Sequence, residues 1–212
     1  MAQQRRVQGS DRDQTVWRPR VAWFSPRSQD AERLGRWSSS AYTSETLLPF
    51  LKSQVDVTLF HDGFEPDPRA PSDLPARHFL TAAALHSEQP FDVFFYHLED
   101  HRLTSFARMH LGLKPGVVWF HDFLLTDDGP EPILNSPWER VVARYHSRST
   151  PWPQRAEEFK RPRPWAVREA GIGGIPIFSN EKDLGEFHRI AGPGLLQDLT
   201  YQQLLACNSE KR

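Results

Sequence analysis

Five near-continuous apolar runs cross the chain, and each breaks into polar residues at its end: VAWFSP (21–26), VDVTLF (55–60), FDVFFYHLED (91–100), GVVWFHDF (116–123) and IGGIPIFSN (172–180). A strand with one face in water alternates apolar and polar residues, whereas a strand covered on both faces is apolar throughout. Runs of this kind specify a parallel sheet enclosed by helices. The segments between them fit that design. Residues 42–53, YTSETLLPFLKS, read as a helix capped by Thr43 or Ser44, with Leu47, Leu48 and Leu51 on its apolar side and Pro49 as an interruption. ARHFL (76–80) reads as a short strand, TAAALHSEQ (81–89) as a short helix, and 102–115 as a helix ended near Gly112 and Pro115. EKDLGEFHRIA (181–191) reads as a helix capped by Asn180, and a last short helix is expected around 195–206. The polar stretch 27–41 reads as loop. Strands and helices in this order predict an α/β fold: one Rossmann-like domain over 19–212, its parallel sheet carrying helices on both faces. Residues 127–165 hold seven prolines and three tryptophans and read as an irregular excursion with at most one helix, near 137–147.

At 212 residues the chain can build a core without disulfides or metals. Its 26 basic and 27 acidic residues leave a formal charge of −1, so no whole-protein field draws it to nucleic acid or to an anionic membrane. The single cysteine, Cys207, fits a reducing cytoplasm. Residues 1–18 read as a disordered arm, with arginines but no apolar stretch behind them to make a secretory signal. No apolar run approaches the ~20 residues of a spanning helix. A cytoplasmic location is the expectation.

The polar residues that end the strands are the informative ones. They are Ser25-Pro26, His61-Asp62, the group His97, Glu99, Asp100 and His101, and His121-Asp122. Ligands of open parallel sheets bind outside the carboxyl ends of the strands. A strand order of 3-2-1-4-5-6 would bring Ser25, the 97–101 group and His121-Asp122 to one crevice, with His61-Asp62 further along. The competing reading is local: His, Asp and Gly are common where strands turn. No HExxH, DxD or paired-cysteine spacing occurs, so no metal is expected. The loop after the first strand, RSQDAERLGRWSSSAY, lacks GxGxxG, and neither a Walker sequence nor GxSxG occurs, so no nucleotide cofactor is expected either. A triad of Ser25, His121 and Asp122 is disfavoured because neighbouring strand residues face opposite ways. Trp23, Trp37 and Trp119 suit core packing better than sugar stacking.

The stretches VAWFSP, AYTSETLLPFL, VDVTLF, FDVFFYHLED and PGVVWFHDF come in an order and spacing that resembles the N-terminal half of GT-B-type retaining bacterial glycosyltransferases. The likeness covers about 20–125 well and 165–190 loosely. It implies an acceptor-side Rossmann-like domain, with His121 in the catalytic cleft and Ser25-Pro26 bordering the first-strand loop. From their place at the strand ends, Ser25, His97, Glu99, Asp100, His101 and Asp122 are candidate ligand-binding residues beside that cleft. The chain also departs from the family pattern. ERLGRWSSSAY replaces a glycine-containing Arg-Ser-Gly loop, Glu99-Asp100 replaces Gly-Asn, and Thr104 and Thr126 stand where histidines are common. No donor domain with paired glutamates follows within these residues. The expectation is one half of a split glycosyltransferase, or a degenerate saccharide-binding form, with a separate donor-domain polypeptide and a saccharide acceptor as partners and no turnover by the isolated chain. The alternatives are a protein-interaction module on the same scaffold, using the tryptophan-rich 137–165 segment, and a small enzyme of unrelated activity, such as hydrolysis, at the crevice.

Overall fold

The computed structural model describes residues 17–63, 74–124, 139–146, 153, 155–159, 166–191 and 199–200. Its strands are β1 (Arg20–Phe24), β2 (Asp56–His61), β3 (Ala76–His78), β4 (Val93–Leu98), β5 (Val117–Phe120), β6 (Ile175–Phe178) and β7 (Leu199–Thr200). They form one sheet in the order β3-β2-β1-β4-β5-β6-β7, and every pairing is parallel. The helices are α1 (Ser28–Arg33), α2 (Ser39–Leu51), α3 (Ala82–Glu88), α4 (Ser105–Leu111), α5 (Glu139–His146), α6 (Ala156–Phe159), α7 (Val167–Ile172) and α8 (Glu181–Ala191). The architecture is the Rossmann-like α/β fold expected from the apolar runs.

Alternation along the strands gives the sheet two faces. One carries Phe24, Tyr96, Leu98, Val118, Phe120 and Phe178, which pack with residues of α3, α4, α7 and α8 such as Ala82, Phe106, Leu111, Ala170 and Phe187. The other carries Val21, Trp23, Val57 and Leu59 under Leu48 and Leu51 of α2. In α2 the buried positions Ala41, Ser44 and Leu48 recur at helical spacing, while Pro49 lies on the exposed side near the last turn. Water can satisfy the carbonyl that Pro49 leaves unpaired there, so the helix runs on past it.

Several local expectations are corrected. Residues 27–41 are not all loop: α1 forms within them, and α2 starts at Ser39 with Ser38 as its cap, the Ser38 hydroxyl accepting from the Ala41 N–H at 3.1 Å. Thr43 and Ser44 are therefore helix interior. The segment 127–165 holds a second short helix, α6, besides α5. Leu199–Thr200 extend the sheet beside β6 instead of belonging to a helix. The rest of the expected 195–206 helix, most of the 1–18 arm, Thr126 and Cys207 lie outside the described residues. One glycine is demanded by the fold: a Cβ on Gly116 would sit 2.2 Å from the Phe94 carbonyl oxygen, so only glycine lets the chain enter β5 this close to β4.

Candidate functional site

Strand order makes the carboxyl ends of β1, β4 and β5 neighbours, and the register sets His97 opposite Trp119. Trp23 stacks on Phe95 at 4.3 Å between ring centroids. His97 lies 4.7 Å from Trp23 and 5.4 Å from Trp119, and His121 stacks on Trp119 at 5.2 Å. Each indole is held by a serine: Trp23 Nε1 donates to Ser44 Oγ at 2.8 Å and Trp119 Nε1 to Ser179 Oγ at 2.9 Å. This framework fixes the two imidazoles. His97 Nδ1 and His121 Nε2 are 2.8 Å apart, a distance that requires one hydrogen between them.

His97 is fully buried, and its Nε2 has no hydrogen-bond partner among the described residues. Burial, reinforced by the neighbouring His121, pushes its pKa well down. His121 is only partly covered. Burial lowers its pKa to about 4, against the pull of the Glu99 carboxylate. Both rings are therefore neutral near pH 7.

Glu99 is spoken for. Its Oε1 accepts from Ser38 Oγ at 2.5 Å, and its Oε2 accepts from Ser39 Oγ at 2.7 Å and from the Ser40 N–H at 3.1 Å. The carboxylate thus sits at the N-terminus of α2, where unpaired N–H groups and the helix dipole favour an anion. In many nucleotide-binding sheets a phosphate takes that place; here the chain's own side chain fills it. Ser25 also turns inward, its hydroxyl donating to the Ser40 carbonyl at 3.1 Å.

The remaining expected site residues divide. Asp122 accepts from the Asp100 N–H at 3.1 Å, so it ties two strand ends together and does not serve His121. Its pKa is raised by partial burial and by the carboxylates of Glu99, Asp100 and Asp183, against that hydrogen bond. His101 accepts from the Leu103 N–H at 3.0 Å and caps the turn into α4. His61 is buried, accepts from the Gly63 N–H at 3.1 Å, and is held down to about 4, chiefly by burial and then by Arg27. The structure therefore gathers His97, His121 and Glu99 on one side of the edge, with Ser25 beneath α2, and leaves His101 in a local role.

Two features escaped the sequence. A cleft of about 210 Å³ opens beside the ends of β1 and β2, lined by Pro26, Asp30, Arg33, Leu34, Asp62, Gly63, Leu103 and Phe106. Phe106 belongs to the core of the face opposite His97, so the cleft and the histidine pair lie on different sides of the edge. One wall is rigid: Arg27 grips Asp30 through two contacts of 2.8 Å, and a Cβ on Gly63 would fall 2.0 Å from the Arg27 guanidinium. Only the convergence of β1 and β4, where strand order reverses, could have pointed there. The second feature is Trp37. Trp23 and Trp119 are core residues as expected, but Trp37 is 72% exposed and lies 5.2 Å from the exposed ring of Tyr42, next to the cap of α2.

Among the described residues no group of three His, Cys, Asp or Glu side chains could hold a metal ion, and no helix is long and apolar enough to cross a membrane. The chain matches no protein-family model, no curated protein and no solved structure. The fold defines it as a Rossmann-like α/β domain.

Proposed function

We propose that the chain is an acceptor-side domain of the GT-B glycosyltransferase type that binds a hydroxyl-bearing saccharide at the carboxyl edge, beside His121. The observation that carries the reading is the setting of His121. It stands partly exposed at the end of β5, braced by buried His97 at 2.8 Å, with a carboxylate near enough to favour its protonated form. A neutral imidazole so held suits contact with a hydroxyl and transfer of its proton.

Two further features support a saccharide over a phosphorylated ligand. Glu99 occupies the helix terminus that would receive a phosphate. Trp37 and Tyr42 present exposed aromatic faces at the same end of α2, and such faces suit the C–H surface of a sugar ring. General-base help is worth only ~10²–10⁴-fold. Donor positioning and charge stabilisation supply the greater part of such a rate. In this class they come from a second Rossmann-like unit, so a donor-binding polypeptide is the partner this reading assigns.

Titration of the labelled protein with neutral mono- and oligosaccharides, followed at the His121 ring signals, tests the reading. Saccharides should shift those signals, and His121→Ala should weaken binding tenfold or more, about 1.4 kcal/mol. If no saccharide moves them, the reading fails. Sugar transfer from a nucleotide-sugar by the purified chain, lost in His121→Ala, would show a complete enzyme instead. The exposed pair of Trp37 and Tyr42 favours a second reading, a protein-interaction module, because aromatic residues dominate binding hot spots. On that reading Trp37→Ala abolishes partner capture while saccharides leave His121 untouched.

A further inference from the structure

The contact between His97 and His121 allows two arrangements of hydrogen. In the first, His97 Nδ1–H donates to His121 Nε2. A bare His97 Nε2 is then buried, and His121 Nδ1 carries a hydrogen. In the second, His121 Nε2–H donates to His97 Nδ1. His97 Nε2 then carries a buried hydrogen, and His121 Nδ1 is bare. The two nitrogens furthest apart are thus coupled: what is buried at His97 Nε2 dictates what His121 offers to a ligand.

The surroundings of His97 decide between them. Its Nε2 has no conventional partner among the described residues, and the rings packed on the His97 ring are those of Trp23, Phe95 and Trp119, at 4.7, 5.2 and 5.4 Å between centroids. Aromatic faces are electron-rich. They accept a weak hydrogen bond from an N–H and repel a lone pair. The second arrangement is the one this environment favours. The Ser44 and Ser179 hydroxyls hold both indoles, so the rings cannot turn to offer an N–H to a bare His97 nitrogen.

We infer that His97 is a positioning residue that fixes His121 with its hydrogen on Nε2, leaving Nδ1 of His121 as a bare acceptor. The edge therefore selects ligands that donate a hydroxyl hydrogen over those that present only carbonyl or phosphate oxygens. This consequence rests on the proposed saccharide reading, but the tautomer itself does not.

Long-range ¹H–¹⁵N correlation of the imidazole rings in the full chain at pH 7 tests it without any ligand. The expected result is a protonated Nε2 and an unprotonated Nδ1 on His121, with the same pattern on His97. A protonated His121 Nδ1, or two averaged nitrogens, overturns the inference. His97→Phe keeps a ring in the stack but removes the nitrogen, and the His121 nitrogens should then move to intermediate, averaged frequencies. If His121 keeps the fixed pattern in that variant, His97 does not position it. Should phenylalanine not be tolerated, His97→Leu removes the same nitrogen at smaller volume, and the wild-type spectrum alone decides the tautomer. Absence of saccharide binding would sink the functional reading and leave the tautomer assignment standing, and the reverse also holds.

Discussion

Glu99 is buried, charged and fully engaged, and its three donors all come from the start of α2. Replacing it by glutamine keeps the shape but removes the charge and turns one accepting oxygen into an NH₂ group that no longer accepts. Hydrogen bonds to a charged group contribute roughly 1.5–3 kcal/mol, and a buried donor left without an acceptor costs more. Glu99→Gln should therefore destabilise by about 2 kcal/mol in urea denaturation. Asp122→Asn is the contrast, because Asp122 is exposed and its hydrogen bond from the Asp100 N–H can pass to an amide oxygen. That change should stay within about 0.5 kcal/mol. Equal costs for the two variants would refute this account of Glu99.

At the scale of elements, glycines at two positions behave oppositely. Gly116 is hemmed in by the Phe94 backbone, which cannot yield without breaking the β4–β5 pairing. Gly171 lies within α7 with nothing within 4 Å of an added Cβ. Gly116→Ala should cost more than about 2 kcal/mol, whereas Gly171→Ala should stabilise by roughly 0.5–1 kcal/mol. Thermal melts of the two variants check both signs. The same scale shows what was legible in the sequence. The limits of α8 and its Asn180 cap, whose Oδ1 accepts from the Asp183 N–H, could be read because capping is local chemistry. The strands were legible because burial on both faces leaves a pattern in composition alone. The start of α2 was not, because Ser38, Ser39, Thr43 and Ser44 are similar caps locally. The choice falls to Glu99, about 60 residues away. The His97–His121 contact was hidden for a similar reason. The sequence placed both residues at strand ends, but the 2.8 Å contact depends on packing against two indoles. Trp37 was misjudged because nothing local separates an indole in a core from one in water.

For the whole molecule, buried neutral histidines set the response to acid. Burial holds His61, His110 and His121 down to about 4, from an ordinary 6.5, and it also pushes His97 well down. The unfolded chain binds protons at these sites before the folded one does. Stability is therefore complete above about pH 6.5 and is lost as pH falls from there towards 4. Each of the three held near 4 contributes on the order of 1–3 kcal/mol across that window. Asp122 acts in the opposite sense, since its raised pKa favours the folded state in acid, but it is one exposed group. Urea midpoints should be clearly lower at pH 5 than at pH 7.5, and equal midpoints would contradict the assignment of these rings as neutral.

The tie between Glu99 and the serines before α2 also bears on the order of events during folding. It joins residues 61 positions apart, and it can close only after β4 has docked beside β1, past the intervening β2 and β3 in the chain. Closing a loop of that length precedes any reward from the contact. The tie should therefore be absent from the folding transition state. Glu99→Gln should leave the refolding rate nearly unchanged and put almost all of its cost into faster unfolding, about thirtyfold for 2 kcal/mol. Stopped-flow refolding slowed by a comparable factor would instead place this contact in the folding nucleus.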